Sequence, residues 1–190
     1  MAGQDDVVFA RAQELYRKGS FSESFHLFEE LANRGRVGCQ RFVGWMYFCG
    51  EGVPTDLSKA YDWFTKAAQH GDREAKFGAG SVCLKNGDNA AALKWFSDGC
   101  GVDFAPACFR LGWMYQAGHG VNADPNRAYE LLSKAYSLGH LPAGRLRALM
   151  LIKGHRGVFG RAWGPFLLAK VVVLVVSTAV RDRNSQRLMV

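Results

Sequence analysis

Phe42-Val43-Gly44-Trp45-Met46-Tyr47-Phe48-Cys49-Gly50-Glu51-Gly52-Val53-Pro54-Thr55-Asp56 decides the fold, because much of it is written twice. Gly44-Trp45-Met46-Tyr47 recurs as Gly112-Trp113-Met114-Tyr115, an offset of 68. The same offset links Gly50 to Gly118, Gly52 to Gly120, Val53 to Val121 and Asp56 to Asp124. It continues through Ala60 and Ala128, Tyr61 and Tyr129, Lys66 and Lys134, Ala67 and Ala135, and Gly71 and Gly139. Chance does not readily produce so many matches in one register, so the chain is an array of repeats.

Half the offset also works. Gly78 falls midway between Gly44 and Gly112, and Ala92, Trp95 and Phe96 echo Ala60, Trp63 and Phe64. Ala10, Gly19, Phe25 and Phe28 match Gly78, Gly87, Leu93 and Phe96 at the full offset. Four units of about 34 residues follow, near 7–36, 37–72, 73–104 and 105–140. Within each, apolar residues recur at three and four positions, as in Phe42, Met46 and Cys49, which predicts helices. Small residues at Gly44, Ala60, Gly112 and Ala128 let two helices approach. The segments 50–56 and 118–124 are inner turns: glycine supplies positive φ after a helix, and Thr55, Asp56 or Asp124 caps the next one. Gly35, Gly71 and Gly139 close the second helices. A lone hairpin cannot bury its apolar face, so the units are expected to stack. The predicted fold is all-α: an α–α superhelix of about four hairpins, a capping helix and a hydrophobic C-terminal helix. Residues 1–153 form the repeat domain, and residues 154–190 a separate segment.

These residues resemble the Sel-one-like repeat family, relatives of the tetratricopeptide repeats. Its pattern is filled by Val43-Gly44, Tyr47, Gly50, Gly52-Val53, Asp56, Lys59-Ala60, Trp63, Lys66-Ala67-Ala68 and Gly71. The fourth unit follows through Ala107, Leu111-Gly112, Tyr115, Gly118, Gly120-Val121, Asp124, Ala128, Lys134-Ala135 and Gly139. It departs at Arg127 and Leu131, where the family more often has Lys and Trp. The first and third units lack the glycine turn and resemble ordinary tetratricopeptide units. The resemblance spans about residues 7–153 and implies an adaptor that holds protein partners rather than a catalyst. It also implies that Tyr47, Tyr115, Trp63 and Trp95 are core framework residues.

Charge separates the chain into two parts. The 190 residues carry a net charge of +7, yet residues 1–140 hold 15 basic and 16 acidic side chains. Residues 141–190 hold nine basic residues and one acid, Asp182. A neutral body with a basic tail gives no support to a nucleic-acid groove. Five cysteines show no zinc-like spacing, and the N-terminus has no signal-peptide pattern. A cytoplasmic repeat body with reduced, buried thiols is therefore expected.

No constellation for chemistry is visible. The five histidines form no H-E-x-x-H, and Gly118-x-Gly120 follows a helix rather than a strand. No catalytic residue, metal site, cofactor or small-molecule substrate is predicted. The candidate binding face lies on the first helices. Arg41, Trp45 and Phe48 fall at i, i+4 and i+7, hence on one face. Phe77 in the third unit, and Phe109, Trp113 and Gln116 in the fourth, hold equivalent positions. Trp and Arg are enriched among binding hot spots. The bland alternative is that these aromatics pack between neighbouring helices.

Past a predicted helix from His140 to about Lys153, glycines at 154, 157 and 160 break the pattern. Residues 162–180, AWGPFLLAKVVVLVVSTAV, then hold one charge in 19 positions. As a helix they extend about 28 Å, close to a hydrocarbon core of about 30 Å. Central Lys170 costs roughly 2.5–3.5 kcal/mol on insertion. Phe166, Leu167, Leu168, Val173, Leu174 and the other Val residues together return roughly 3–6 kcal/mol. Trp163 suits an interface. Basic residues before the segment outnumber those after it, five to three from Arg145, which places the body inside. Three readings stand: a membrane anchor or interfacial helix, a helix docked on the solenoid or on a partner, and a buried β-strand.

Overall fold

The computed structural model describes residues 2–154 and 163–173, all in helices and their connections. The helices are α1 (Ala2–Arg17), α2 (Phe21–Asn33), α3 (Val37–Cys49), α4 (Leu57–Gln69), α5 (Arg73–Lys85), α6 (Asn89–Gly101), α7 (Ala105–Ala117), α8 (Pro125–Ser137) and α9 (Leu141–Ile152). A further helix, α10, occupies residues 163–173. The pairs α1–α2, α3–α4, α5–α6 and α7–α8 are the four expected hairpins, with the expected boundaries to within a few residues; α1 starts earlier, at Ala2. The fold class is all-α. The chain divides into two compact units, Met1–Val102 and Asp103–Val190.

The recurring residues of the turns have one physical job each. Gly50 and Gly118 end α3 and α7 in the left-handed conformation, at φ of 78° and 75°, where a side chain is strained. In the first of these turns the N–H groups of Gly50 and Glu51 both donate to the Met46 carbonyl, and that of Asp56 donates to Tyr47. In the second, Gly118, His119 and Asp124 do the same to Met114 and Tyr115. The Asp56 carboxylate then accepts from the Lys59 N–H at 3.0 Å. Asp124 accepts from Asn126 and Arg127, both at 3.0 Å. Asp72 and Asp88 cap α5 and α6 in the same way.

Packing explains the small residues. In the first unit Phe64 on α4, 1 % exposed, lies between Gly44 of α3 and Gly78 of α5. A Cβ on Gly44 would stand 3.0 Å from its ring, and one on Gly78 only 2.5 Å. Phe96 on α6 lies on Gly80 in the same manner. In the second unit Leu132 of α8 sits on Gly112 of α7. In α4, α6 and α8 a large residue thus fills the space that a first-helix glycine leaves. Of the expected framework residues, Tyr47 is buried. Trp63, Trp95 and Tyr115 are only half-buried, each beside a polar or cationic neighbour. Lys66 stands over Trp63, the Trp95 indole donates to Tyr61, and Arg127 stands over Tyr115.

α10 runs back along α9. A Cβ on Gly164 would lie 2.7 Å from Ile152 and 3.1 Å from the Ala148 carbonyl, whereas Val171 lies against Gly144. As numbers rise along α10 they fall along α9, so the two make a fifth antiparallel hairpin. This corrects the strand alternative for residues 163–173. Leu174 and the rest of the apolar run to residue 180 lie outside the described residues. Among the described residues no helix is long and apolar enough to cross a membrane.

Candidate partner-binding face

In the first unit the first helices α1, α3 and α5 carry two cavities that share Arg41 and Phe42. One, of about 590 Å³, is lined by Phe9, Gln13, Tyr16 and Arg17 of α1, Phe28 of α2, and Gly38, Arg41 and Phe42 of α3. The other, of about 350 Å³, is lined by Arg41, Phe42 and Trp45, by Phe64, and by Glu74, Phe77 and Gly78 of α5. Gly78 contributes by having no side chain: the space beside Phe64 stays open to Phe77. Arg41, Trp45 and Phe77 are therefore brought to one site. Phe48 is not part of either lining. It stacks under Trp45, with ring centroids 5.0 Å apart and planes 2° from parallel.

Trp45 is 39 % exposed, and its indole also meets the edge of Phe64 at 6.0 Å. Lys85 stands 4.7 Å over Phe48 and fixes the lower ring of the stack. Arg41 offers less free charge than expected. Its Nε lies 3.2 Å from the Asp72 carboxylate, and its Nη1 pairs with Glu74. The guanidinium's charge is thus balanced within the site, although its Nε makes no hydrogen bond, and the cavities have aromatic walls with a neutralised centre. At the far end, the Tyr16 hydroxyl donates to Glu51 at 2.5 Å, which pushes the phenol up to about 12.

The second unit arranges its counterpart residues differently. Phe109 is half-buried with the His140 ring 4.6 Å away, and Trp113 is half-buried with His119 at 4.6 Å. Gln116 is half-buried on the same helix. Burial lowers the His140 pKa from its ordinary value, and its Nδ1 has no hydrogen-bond partner. These imidazoles cover faces that α3 leaves open at Trp45.

Sequence reasoning missed Phe9, Gln13 and Tyr16. The signal was present: stepping the Arg41, Trp45 and Phe48 face back by 32 residues reaches those three positions. The first repeat lacks the glycine turn that marks the second, so its face carries no such signature.

Among the described residues no group of three or more His, Cys, Asp or Glu is placed to hold a metal ion. Cys39, Cys49 and Cys83 are free thiols. Burial pushes Cys39 up to about 11 and raises Cys83 as well. Cys100 and Cys108 are disulfide-bonded, so the expectation of reduced thiols throughout is corrected.

The Sel1 repeat model matches residues 37–72 and 105–140, the two units that carry the glycine turn. A curated relative, cytochrome c oxidase assembly factor 7 of Xenopus tropicalis, is 34% identical over 133 residues, covering 60% of this chain and 58% of its own. An exopolysaccharide production negative regulator of Rhizobium leguminosarum is 24% identical, over 70% of this chain and 57% of its own. The chain thus spans little more than half the length of these relatives. Among solved structures, a Sel1 repeat protein from Oxalobacter formigenes superposes with a TM-score of 0.73 at 23% identity, over 86% of this chain and 69% of that one.

Proposed function

The chain belongs to the Sel1-like repeat family, and on that premise we propose that it is a non-catalytic adaptor that holds a protein partner on its first-helix face. The observation that carries this is the pair of aromatic cavities flanking Arg41, with Trp45 exposed between α3 and α5. An exposed tryptophan backed by a stacked ring is a preorganised anchor: it gives apolar area on binding and loses little side-chain entropy. Because Asp72 and Glu74 already answer Arg41, recognition rests on apolar side chains entering the cavities, with hydrogen bonds at the rim. Relatives described as an assembly factor and as a regulator support a role in organising other proteins. We place a second contact in the C-terminal segment, at a membrane.

The test uses Trp45→Ala and Phe77→Ala in the full chain. Partners retained by the wild type should be lost by both variants, and Trp45→Ala, at a partly exposed position, should melt within a few degrees of the wild type. Retention of the same partners, or a collapse in stability, would show that these rings are framework.

A further inference from the structure

The repeats contain their own standard for what the outer face of a second helix looks like, and α10 departs from it. Its inward residues keep the repeat phase. Ala128, Leu132 and Ala135 of α8 are buried, and a step of 36 residues places Gly164, Leu168 and Val171 of α10 at the same positions. Gly164 and Val171 are buried and Leu168 is half-buried. The outward positions of α4 are Lys59, Asp62, Lys66 and Gln69, all exposed. Those of α8 are Arg127, Glu130, Lys134 and Ser137, also all exposed. In α10 the same positions hold Trp163, Phe166, Lys170 and Val173. Only the lysine survives. Trp163 is 61 %, Phe166 65 % and Val173 67 % exposed, and Val172 beside them 52 %. A face that is charged in every marked repeat has become apolar in the last hairpin.

We propose that this outer face of α10 lies on the surface of an anionic lipid bilayer, entering it from one side without crossing it. The proposal rests on the membrane reading of the C-terminal segment given above and specifies its mode. Three features favour lipid over the other occupants. The flanking sequence is strongly cationic: apart from Lys170 on the helix itself, residues 141–190 hold eight basic residues against one acid, and cationic flanks with an apolar face define an interfacial helix. Two copies meeting through this face would bring two such cationic segments together. A protein interface normally supplies about one hydrogen bond per 100–200 Å², yet this face offers donors only at the Trp163 indole and the Lys170 ammonium. A bilayer surface requires no more: tryptophan settles at the headgroup level, and lysine extends its charge to water along an apolar stem. The buried inner face explains why the mode is one-sided, since Gly164 and Val171 are already spent on α9.

The experiment restores what the fourth repeat carries. Phe166→Glu with Val173→Ser writes the α8 residues Glu130 and Ser137 onto α10, at positions that are 65 % and 67 % exposed. The full chain and the double variant are floated with phosphatidylcholine vesicles, with and without phosphatidylserine. The wild type should float with the phosphatidylserine vesicles and be released by alkaline carbonate. The variant should lose at least about tenfold in vesicle affinity, with an unchanged thermal melt. Equal flotation of the variant overturns the proposal. Carbonate-resistant flotation overturns the one-sided mode while leaving the membrane reading intact. No flotation of the wild type overturns both. Wild-type dimers that the variant dissolves, or an acidic protein that only the wild type retains, in place of vesicle binding, overturn it in favour of those occupants. Trp45→Ala should float like the wild type, which keeps the partner face and the lipid face separable.

Discussion

Phe64 shows at the residue scale how one side chain couples three helices. It is buried on α4 only because Gly44 and Gly78 lack side chains. Gly78→Ala would put a methyl group 2.5 Å from a ring that is 1 % exposed. Overpacking of this kind costs about 1–3 kcal/mol, measurable as a lower midpoint in urea. The same methyl would narrow the 350 Å³ cavity, so partner capture should fall with stability. The thiols give a second test. At pH 8 a thiol reagent should modify exposed Cys49 first, and leave buried Cys39 and Cys83 until the chain unfolds. Cys100 and Cys108 should add two more thiols only after reduction. His140 gives a third. Burial holds its folded pKa below the ordinary 6.5. The folded state therefore binds the proton less well than the unfolded one. This part of the stability is present above 6.5 and is lost as pH falls below it. His140→Gln should flatten that acid limb.

Hairpins are the scale at which the sequence was most readable. A glycine that needs positive φ and an aspartate that caps the helix after it are local requirements, and they recur in the α3–α4, α5–α6 and α7–α8 hairpins. Asp124 holds two N–H groups of α8, and Asp124→Ala should destabilise by about 1 kcal/mol, whereas Asn should retain most of the cap. What was less legible depends on partners outside the hairpin. Trp63 and Trp95 match framework positions yet remain half-buried, because burial depends on what the neighbouring helices supply. Arg41 stands at the expected face, but the acids that answer it come from α5 and the residue that precedes it. The helix at 163–173 was expected, but its pairing with α9 was less legible for another reason. Its inner and outer faces are both apolar, so composition masks the repeat phase that Gly164, Leu168 and Val171 keep.

At the scale of the whole molecule, the described residues hold no group of three or more His, Cys, Asp or Glu placed for a metal ion, and two kinds of surface stand out. One is an aromatic first-helix face in the first unit, and the other is the apolar outer side of α10 in the second. The near-neutral repeats and the basic tail follow the same division, with partner recognition assigned to the body and the cationic excess to residues 141–190. The central claim concerns the body: a protein partner lies on the face that Trp45 presents. Site-specific photo-crosslinking measures this most directly, with a photoreactive phenylalanine at position 45 and, as control, at exposed Asp62 on the outer side of α4. The account predicts a discrete protein adduct from position 45 that is absent from position 62 and is competed away by unlabelled wild-type chain. No adduct at 45, or the same adducts from both positions, would contradict it.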